Sequence, residues 1–409
     1  MENANALGIR QPEILREASK GVSILESIMK HGPISKGEIS RRTGFNIVTI
    51  SNYVDRFLDE KIIFEKGLDV STGGRRPVIV DMNPKYGFII GVDVNTDNII
   101  AAASNFDCKI IKKIKRERGD MRLDNAIEAS MDSVREVISQ SGLEKSKFKA
   151  VTFGISGVVD EHAGTIRETS ARGSSINSSW LKVMVGKAFG VSAFVYNDAS
   201  LAALGEKKIG IKDEETRNLI YMYADLGCGI IIDGQIYLGS RGLAGEMQLN
   251  MRSEIPYSPN IEEDRLHYLN TIGPALGIVE KAKRLFKEGQ DSEVYSAISN
   301  NPDNITLELI ISSAMKGDAV SMSLLKEAGV NLGVKAAYLI NLFDPDVVVI
   351  GGGIEKAGEM VLGPVKKMVR SLTFGEFSRS PRIIPSILGE DAVSVGALAM
   401  AVENTLIKS

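Results

Sequence analysis

The chain has 409 residues, 44% apolar and 25% charged, with a net charge of -3. That length exceeds one ordinary core, so two or three domains are expected, and the charge balance excludes a general polycation, leaving nucleic-acid contact to a local patch. Two cysteines and three histidines exclude a disulfide framework and supply no zinc-ligand spacing, so neither a metal nor a cofactor is expected.

The opening "MENANALGIRQPE" lacks the basic start and apolar block of an export signal, and the longest apolar runs are too short for a bilayer. A cytoplasmic protein with no membrane partner is expected. Residues 1–12 are polar and unpatterned, and are read as a flexible N-terminus. Next, Ile14, Leu15, Ala18, Val22, Leu25, Ile28 and Met29 recur at helical spacing, and Gly32 and Pro33 close that helix. "SKGEISRRTG" predicts a short second helix with Ser35 as its cap, Glu38 three residues on, and Gly44 at its end. "NIVTISNYVDRFLDEK" predicts a third, capped by Asn46 and burying Val48, Val54, Phe57 and Leu58.

Two strands around the turn "STGGRRP" follow, which completes a winged helix-turn-helix over residues 13–83. Its basic residues include Lys36, Arg75 and Arg76, placed where a DNA backbone or a narrow minor groove would run. Asn46, Thr49, Ser51 and Asn52 offer neutral donors and acceptors to base edges, so the expected partner is double-stranded DNA. The same pattern also suits a three-helix module that docks on protein.

From Phe88 the pattern changes to three short strands, a helix over 122–141 and a further strand, "KAVTFGISG". A second cycle starts at "NLIYMYADLGCGIIIDGQIYLG" and ends with a long helix, 318–343, before "DPDVVVIGGGI". The repetition predicts two duplicated α/β lobes, residues 84–206 plus 390–409 and residues 207–389. Four stretches carry candidate chemistry. The apolar run 191–196 delivers Asn197 and Asp198 at a strand end, where a carboxylate is costly unless paired or used. "GISGVVD" presents Ser156 and Gly157, and "GLAGEMQLN" presents Glu246 among small residues. Either could hold a polyol or form a surface turn. The glycines of "VVVIGGGI" allow close approach of a ligand or simply make a tight turn.

In that order, "GGRRP", "GVDV", "GISGVVD", "VYNDASLAALGE", "DGQIYLGSRGLAGE" and "VVVIGGGI" resemble the ROK family of repressors, open reading frames and kinases. The resemblance implies a winged helix ahead of two actin/hexokinase-like, ribonuclease H-like α/β lobes. It also implies a homodimer or higher homo-oligomer and a carbohydrate effector. In the family's kinases Asp198 would be the base that deprotonates the sugar. Ser156, Gly157, Asn197 and Glu246 would hold sugar hydroxyls, and the 351–353 turn would lie near adenosine. Ligand entry between the lobes would then alter the spacing of two winged heads.

The departures are informative. Where family kinases carry Asp-x-Gly-Gly-Thr, Asp93 is followed by "VNTDN", so Asn95 and Thr96 fill glycine positions and Asp97 adds negative charge. In the second phosphate loop Tyr223 and Asp225 replace glycines, and Leu249 stands where the family's zinc-binding His belongs. The stretch 250–270 holds no cysteine, with Glu262 or Glu263 as candidates for a sugar-binding glutamate. These changes favour a sugar-sensing regulator, expected to be a repressor, in which Asp198 is a vestigial base. An active sugar kinase with a DNA-binding domain and a ligand-independent DNA-binding protein are the alternatives.

Overall fold

The computed structural model describes residues 13–68, 77–160, 163–168, 175–211, 213, 215–223, 227–247, 274–290, 292–298, 301–374 and 381–407. The N-terminal helices form where their caps direct. Helix α1, Glu13–His31, ends at the Gly32–Pro33 pair. After strand β1, Ile34–Ser35, helix α2, Lys36–Thr43, starts with Ser35 Oγ accepting from Glu38 N at 3.3 Å and stops at Gly44, φ 72°. Helix α3, Ile47–Asp59, starts with Asn46 Oδ1 accepting from Thr49 N at 2.8 Å.

The buried stripe of α3 is Ile50, Val54 and Phe57, which corrects the expectation for Val48: that side chain is 66% exposed. Leu58 is half-buried rather than buried. Helical geometry explains the correction, because Ile50, Val54 and Phe57 share one face and Val48, two residues before Ile50, lies on the opposite side.

Strands β2, Ile63–Leu68, and β3, Val78–Met82, pair antiparallel, and β3 also pairs with β1. The wing tip, with Arg75 and Arg76, lies outside the described residues. Beyond β3 the chain is firmly tied: Asn83 Nδ2 donates to Lys61 O at 2.8 Å, and Tyr86 meets Phe106 edge-on at 4.9 Å beneath the Lys149 ammonium.

Strands β4, Phe88–Val94, β5, Asn98–Ser104, and β6, Ile110–Glu117, form an antiparallel meander. Helix α4, Leu123–Ser141, leads to β7, Phe148–Ile155, then the small strands β8, Val158–Asp160, β9, Thr165–Arg167, and β10, Ser175–Asn177. Helix α5, Ser178–Phe189, precedes β11, Ser192–Asn197, and α6, Asp198–Gly205. The resulting sheet has the order β11-β7-β4-β5-β6, and β4 is buried along its whole length, as a central strand covered on both faces must be.

A second meander follows, β12, Leu219–Tyr223, β13, Cys228–Ile232, and β14, Gln235–Ile236. The helices α7, Pro274–Lys287, α8, Glu293–Ala297, α9, Leu307–Met315, and α10, Ala319–Phe343, then lead to β15, Val347–Gly351. Helix α11, Glu359–Leu372, strand β16, Arg382–Pro385, and helix α12, Ala392–Ile407, complete the chain. This sheet runs β14-β13-β12-β15-β16. Counted in chain order within each five-stranded sheet, both have the fifth and fourth strands beside the first, then the second and third. The duplication read from the sequence is thus a duplicated topology.

By contacts the chain divides into one unit of residues 1–153, 179–194 and 397–409 and another of residues 154–178 and 195–396. The first holds the winged helix and most of the first sheet. The second holds the second sheet and the strand ends that carry Ser156 and Asp198.

Candidate functional site

In the second unit, neighbouring strands β7 and β11 bring their last residues together. Asn197 is the N-cap of α6: its Oδ1 accepts from Ser200 N at 3.0 Å, and its Nδ2 donates to Gly157 O at 3.0 Å. The amide therefore clamps the turn after β7. Gly157 has φ 140°, and a Cβ there would collide with the Arg167 carbonyl, so only glycine lets the turn lie against β9.

Asp198 follows as the first residue of α6, 6% exposed. One carboxylate oxygen accepts from Ala199 N at 2.8 Å and the group bonds the Ser156 hydroxyl, but these do not offset its burial. Desolvation, with a smaller push from the Glu246 charge, raises its pKa to about 7. Glu246 is fixed beside β13 by the bridge between Gly227 and Glu246 and by Cys228 N donating to Gly245 O at 2.9 Å. It keeps solvent access, yet partial desolvation raises its pKa, with the Arg167 guanidinium pulling the other way. Beside it, burial pushes the Cys228 thiol up to about 12, which makes it inert.

Ser156, Gly157, Asn197, Asp198 and Glu246 are thus linked into one cluster, two carboxylates with hydroxyl, amide and backbone groups around them. Arg167 was missed by sequence reasoning. It lies in no motif, and only the approach of β9 to the Gly157 turn brings it in.

The glycine turn after β15 serves packing first. A Cβ on Gly351 would overlap the Tyr221 hydroxyl, which bonds Ser386 and Gly352, and Gly352 and Gly353 hold φ 81° and 93°. Burial pushes the Tyr221 phenol far above its ordinary range.

In the first unit, the hairpin at the end of β4 is closed on itself. Asn95 Oδ1 accepts from Asp97 N at 2.9 Å and Asn98 N at 2.7 Å, while Asn95 N donates to Asn98 O at 3.1 Å. The Asn95 Nδ2 donates to Asp93 at 3.0 Å, and buried Arg118 donates to Asn95 O at 2.9 Å. The Asp97 and Asn98 N–H groups are thus engaged by the Asn95 side chain, which leaves fewer donors free for a phosphate. After β12, Tyr223 N donates to Gly227 O at 3.0 Å; Asp225, Leu249, Glu262 and Glu263 lie outside the described residues.

On the winged helix, Ser51 is half-buried and Asn52 exposed on α3, and Thr49 is half-buried at its first turn. Asn46 is committed as the cap. Lys36 pairs with Asp55 at 2.6 Å across α2 and α3.

A model described as the ROK family matches residues 89–251 and 286–404. The xylose repressor of Caldicellulosiruptor bescii is 28% identical over 406 residues, covering 96% of this chain and 97% of its own. A crystal structure of a ROK family transcriptional regulator, homologous to the E. coli MLC protein, aligns with a TM-score of 0.73 at 19% identity, over 96% of this chain and 98% of that one. The ROK family glucokinase of Streptomyces griseus, solved with glucose and AMPPNP, aligns with a TM-score of 0.61 at 24% identity, over 77% of this chain and 99% of its own. Both structural matches show the fold. With the motifs, the duplicated sheets and the family match in agreement, the chain belongs to the ROK family.

Proposed function

We propose that the chain is a DNA-binding transcriptional regulator, acting as a repressor, whose ROK body binds a carbohydrate and does not phosphorylate it. One observation carries the second half: the hairpin at Asn95 satisfies its own amides, whereas the Asp198 cluster holds a buried carboxylate that is incompletely compensated. A base needs an electrophile to serve, and a hairpin whose amides are already engaged offers a phosphate few donors. Hydroxyl-rich ligands suit two carboxylates, a serine and an amide. The C. bescii xylose repressor makes xylose the first candidate.

A two-fold operator calls for two winged heads, so a homodimer is the proposed working state, checked by mass in solution. Among the described residues no helix is long and apolar enough to cross a membrane, and the cytoplasm is the proposed compartment. An Asp198 pKa near neutrality is what a general base also needs, which keeps the kinase as the second reading. Thermal unfolding with a panel of pentoses and hexoses, with ATP, and with sugar phosphate assayed alongside separates them. The expected result is a rise in Tm with one sugar and none with ATP. Turnover abolished by Asp198→Ala would replace the sensor with the kinase, and indifference to every sugar would favour a ligand-independent DNA-binding protein.

A further inference from the structure

Ile47 and Val48 are 49% and 66% exposed at consecutive positions in the first turn of α3. The winged-helix core takes Ile50, Val54 and Phe57 instead, so neither side chain serves the fold. One turn on from Val48 lies exposed Asn52, and Asp55, a further turn towards the C-terminus, is neutralised by Lys36 at 2.6 Å. The polar group that sequence reasoning placed at the tip, Asn46, has its oxygen engaged by Thr49 N. The start of the helix therefore presents branched aliphatic carbons, followed by one free amide.

Resting on the DNA-binding reading above, we infer that Ile47 and Val48 are specificity-determining residues that pack on thymine 5-methyl groups in the major groove. Residues at the start of a recognition helix meet the base edges. The thymine methyl is the apolar group displayed on the floor of that groove, and it is the natural partner for an aliphatic side chain. Cytosine at the same place carries only hydrogen at C5, so the apolar contact is lost. Asn52 matches the adenine N6 and N7 pair, so the whole exposed face of α3 selects A·T pairs. Lys30 at the end of α1 and Arg41 on α2 are exposed and add positive charge to the winged helix, as phosphate contact requires.

A random-sequence library supplies the operator for the test. Duplexes retained by the wild-type protein are sequenced, and the preferred duplex is remade with deoxyuridine for each thymine in turn, which removes only the methyl. Thymines are expected at neighbouring positions in each half-site, and uridine there lowers affinity about fourfold per methyl while uridine elsewhere changes nothing. In Ile47→Ser and Val48→Ser the same replacement has no further effect. Both positions are exposed, so thermal melts are expected to match the wild type, and the uridine scan on the wild type stands even where a variant fails to fold. A selected duplex whose contacted bases tolerate uridine, or carry G·C pairs, overturns the inference. Retention of no duplex at all would overturn the DNA-binding reading first, and this inference with it.

Discussion

The hairpin at Asn95 and the cluster at Asp198 both follow a β-strand in a kinase-like body, yet they treat their polar groups in opposite ways. In the hairpin every named amide has an internal acceptor, and a buried arginine holds the turn's carbonyl. In the cluster a carboxylate that is 6% exposed is bonded by the Ala199 and Asp198 N–H groups and the Ser156 hydroxyl, and these do not offset the cost of burying its charge. A site remains open to a ligand where polar groups are left under-compensated, and closes where the chain supplies its own partners. Hydrogen-bond accounting thus distinguishes the two strand ends more sharply than the presence of a catalytic residue type does.

The largest expected effect comes from removing the charge at Asp198. Its pKa is displaced from an ordinary 3.8 to about 7 in the folded state, which corresponds to about 4 kcal/mol. Between those two values the folded chain keeps a proton that the unfolded chain has released, so stability falls as pH rises across that window and is level above it. Asp198→Asn keeps an acceptor for Ala199 N but cannot ionise. Chemical denaturation should find it as stable as the wild type near pH 4 and more stable by up to about 4 kcal/mol at pH 8. The same variant should bind the effector at least tenfold more weakly, since a hydrogen bond to a charged group contributes about 1.5 to 3 kcal/mol. Equal stability at both pH values would erase the contrast between cluster and hairpin.

The converse experiment opens the hairpin. Asn95→Gly removes the bonds to Asp97 N, Asn98 N and Asp93, and should cost about 2 to 3 kcal/mol, glycine entropy included. Hydrogen exchange at the Asp97 and Asn98 amides should accelerate, while exchange at Ala199 stays as it was. Unchanged protection at residues 97 and 98 would mean that the side chain does not hold the turn.

How much of this was legible in the sequence depends on the distance over which each signal acts. Caps are local, so Ser35, Asn46 and Gly44 were readable as helix boundaries, and the repeated cycle of strands, helix and strand indicated two lobes. The link between Asp198 and Glu246, and the approach of β9 to Gly157, are tertiary facts that no spacing encodes. Val48 misled because hydrophobicity reports a wish to leave water without saying whether a protein core or a DNA groove receives the side chain. Asn95 was read as an obstruction in a phosphate loop. Only its hydrogen bonds reveal that its side chain accepts from the Asp97 and Asn98 amides.

Asn197 tests whether the cluster is held from within. Asn197→Ala removes the cap on Ser200 N and the clamp on Gly157 O, with an expected loss of about 1 to 2 kcal/mol. If the clamp positions Ser156 for Asp198, effector affinity falls with it even at temperatures where the fold is intact. Asn197→Asp separates the two jobs. It keeps the cap and loses the donor, so it should restore the stability attributable to the cap while leaving the affinity low.

The smallest effect is expected at Arg167, and it sharpens the comparison because it acts through charge alone. Burial raises the pKa of Glu246 and the Arg167 guanidinium opposes that rise. Arg167→Met keeps the aliphatic stem and deletes the charge, so the Glu246 carboxyl should titrate at higher pH, readable from its carboxyl carbon shift. A carboxylate whose folded pKa lies above its unfolded value loses stability as pH rises through that range, and the variant should deepen the loss. Arg167 and Glu246 are both solvent-accessible, so the difference should stay below about 1 kcal/mol and shrink further in high salt. At a pH low enough to protonate Glu246 the two proteins should be equally stable. A deficit that persists there would show that Arg167 supports the cluster by packing against the Gly157 turn rather than by its charge.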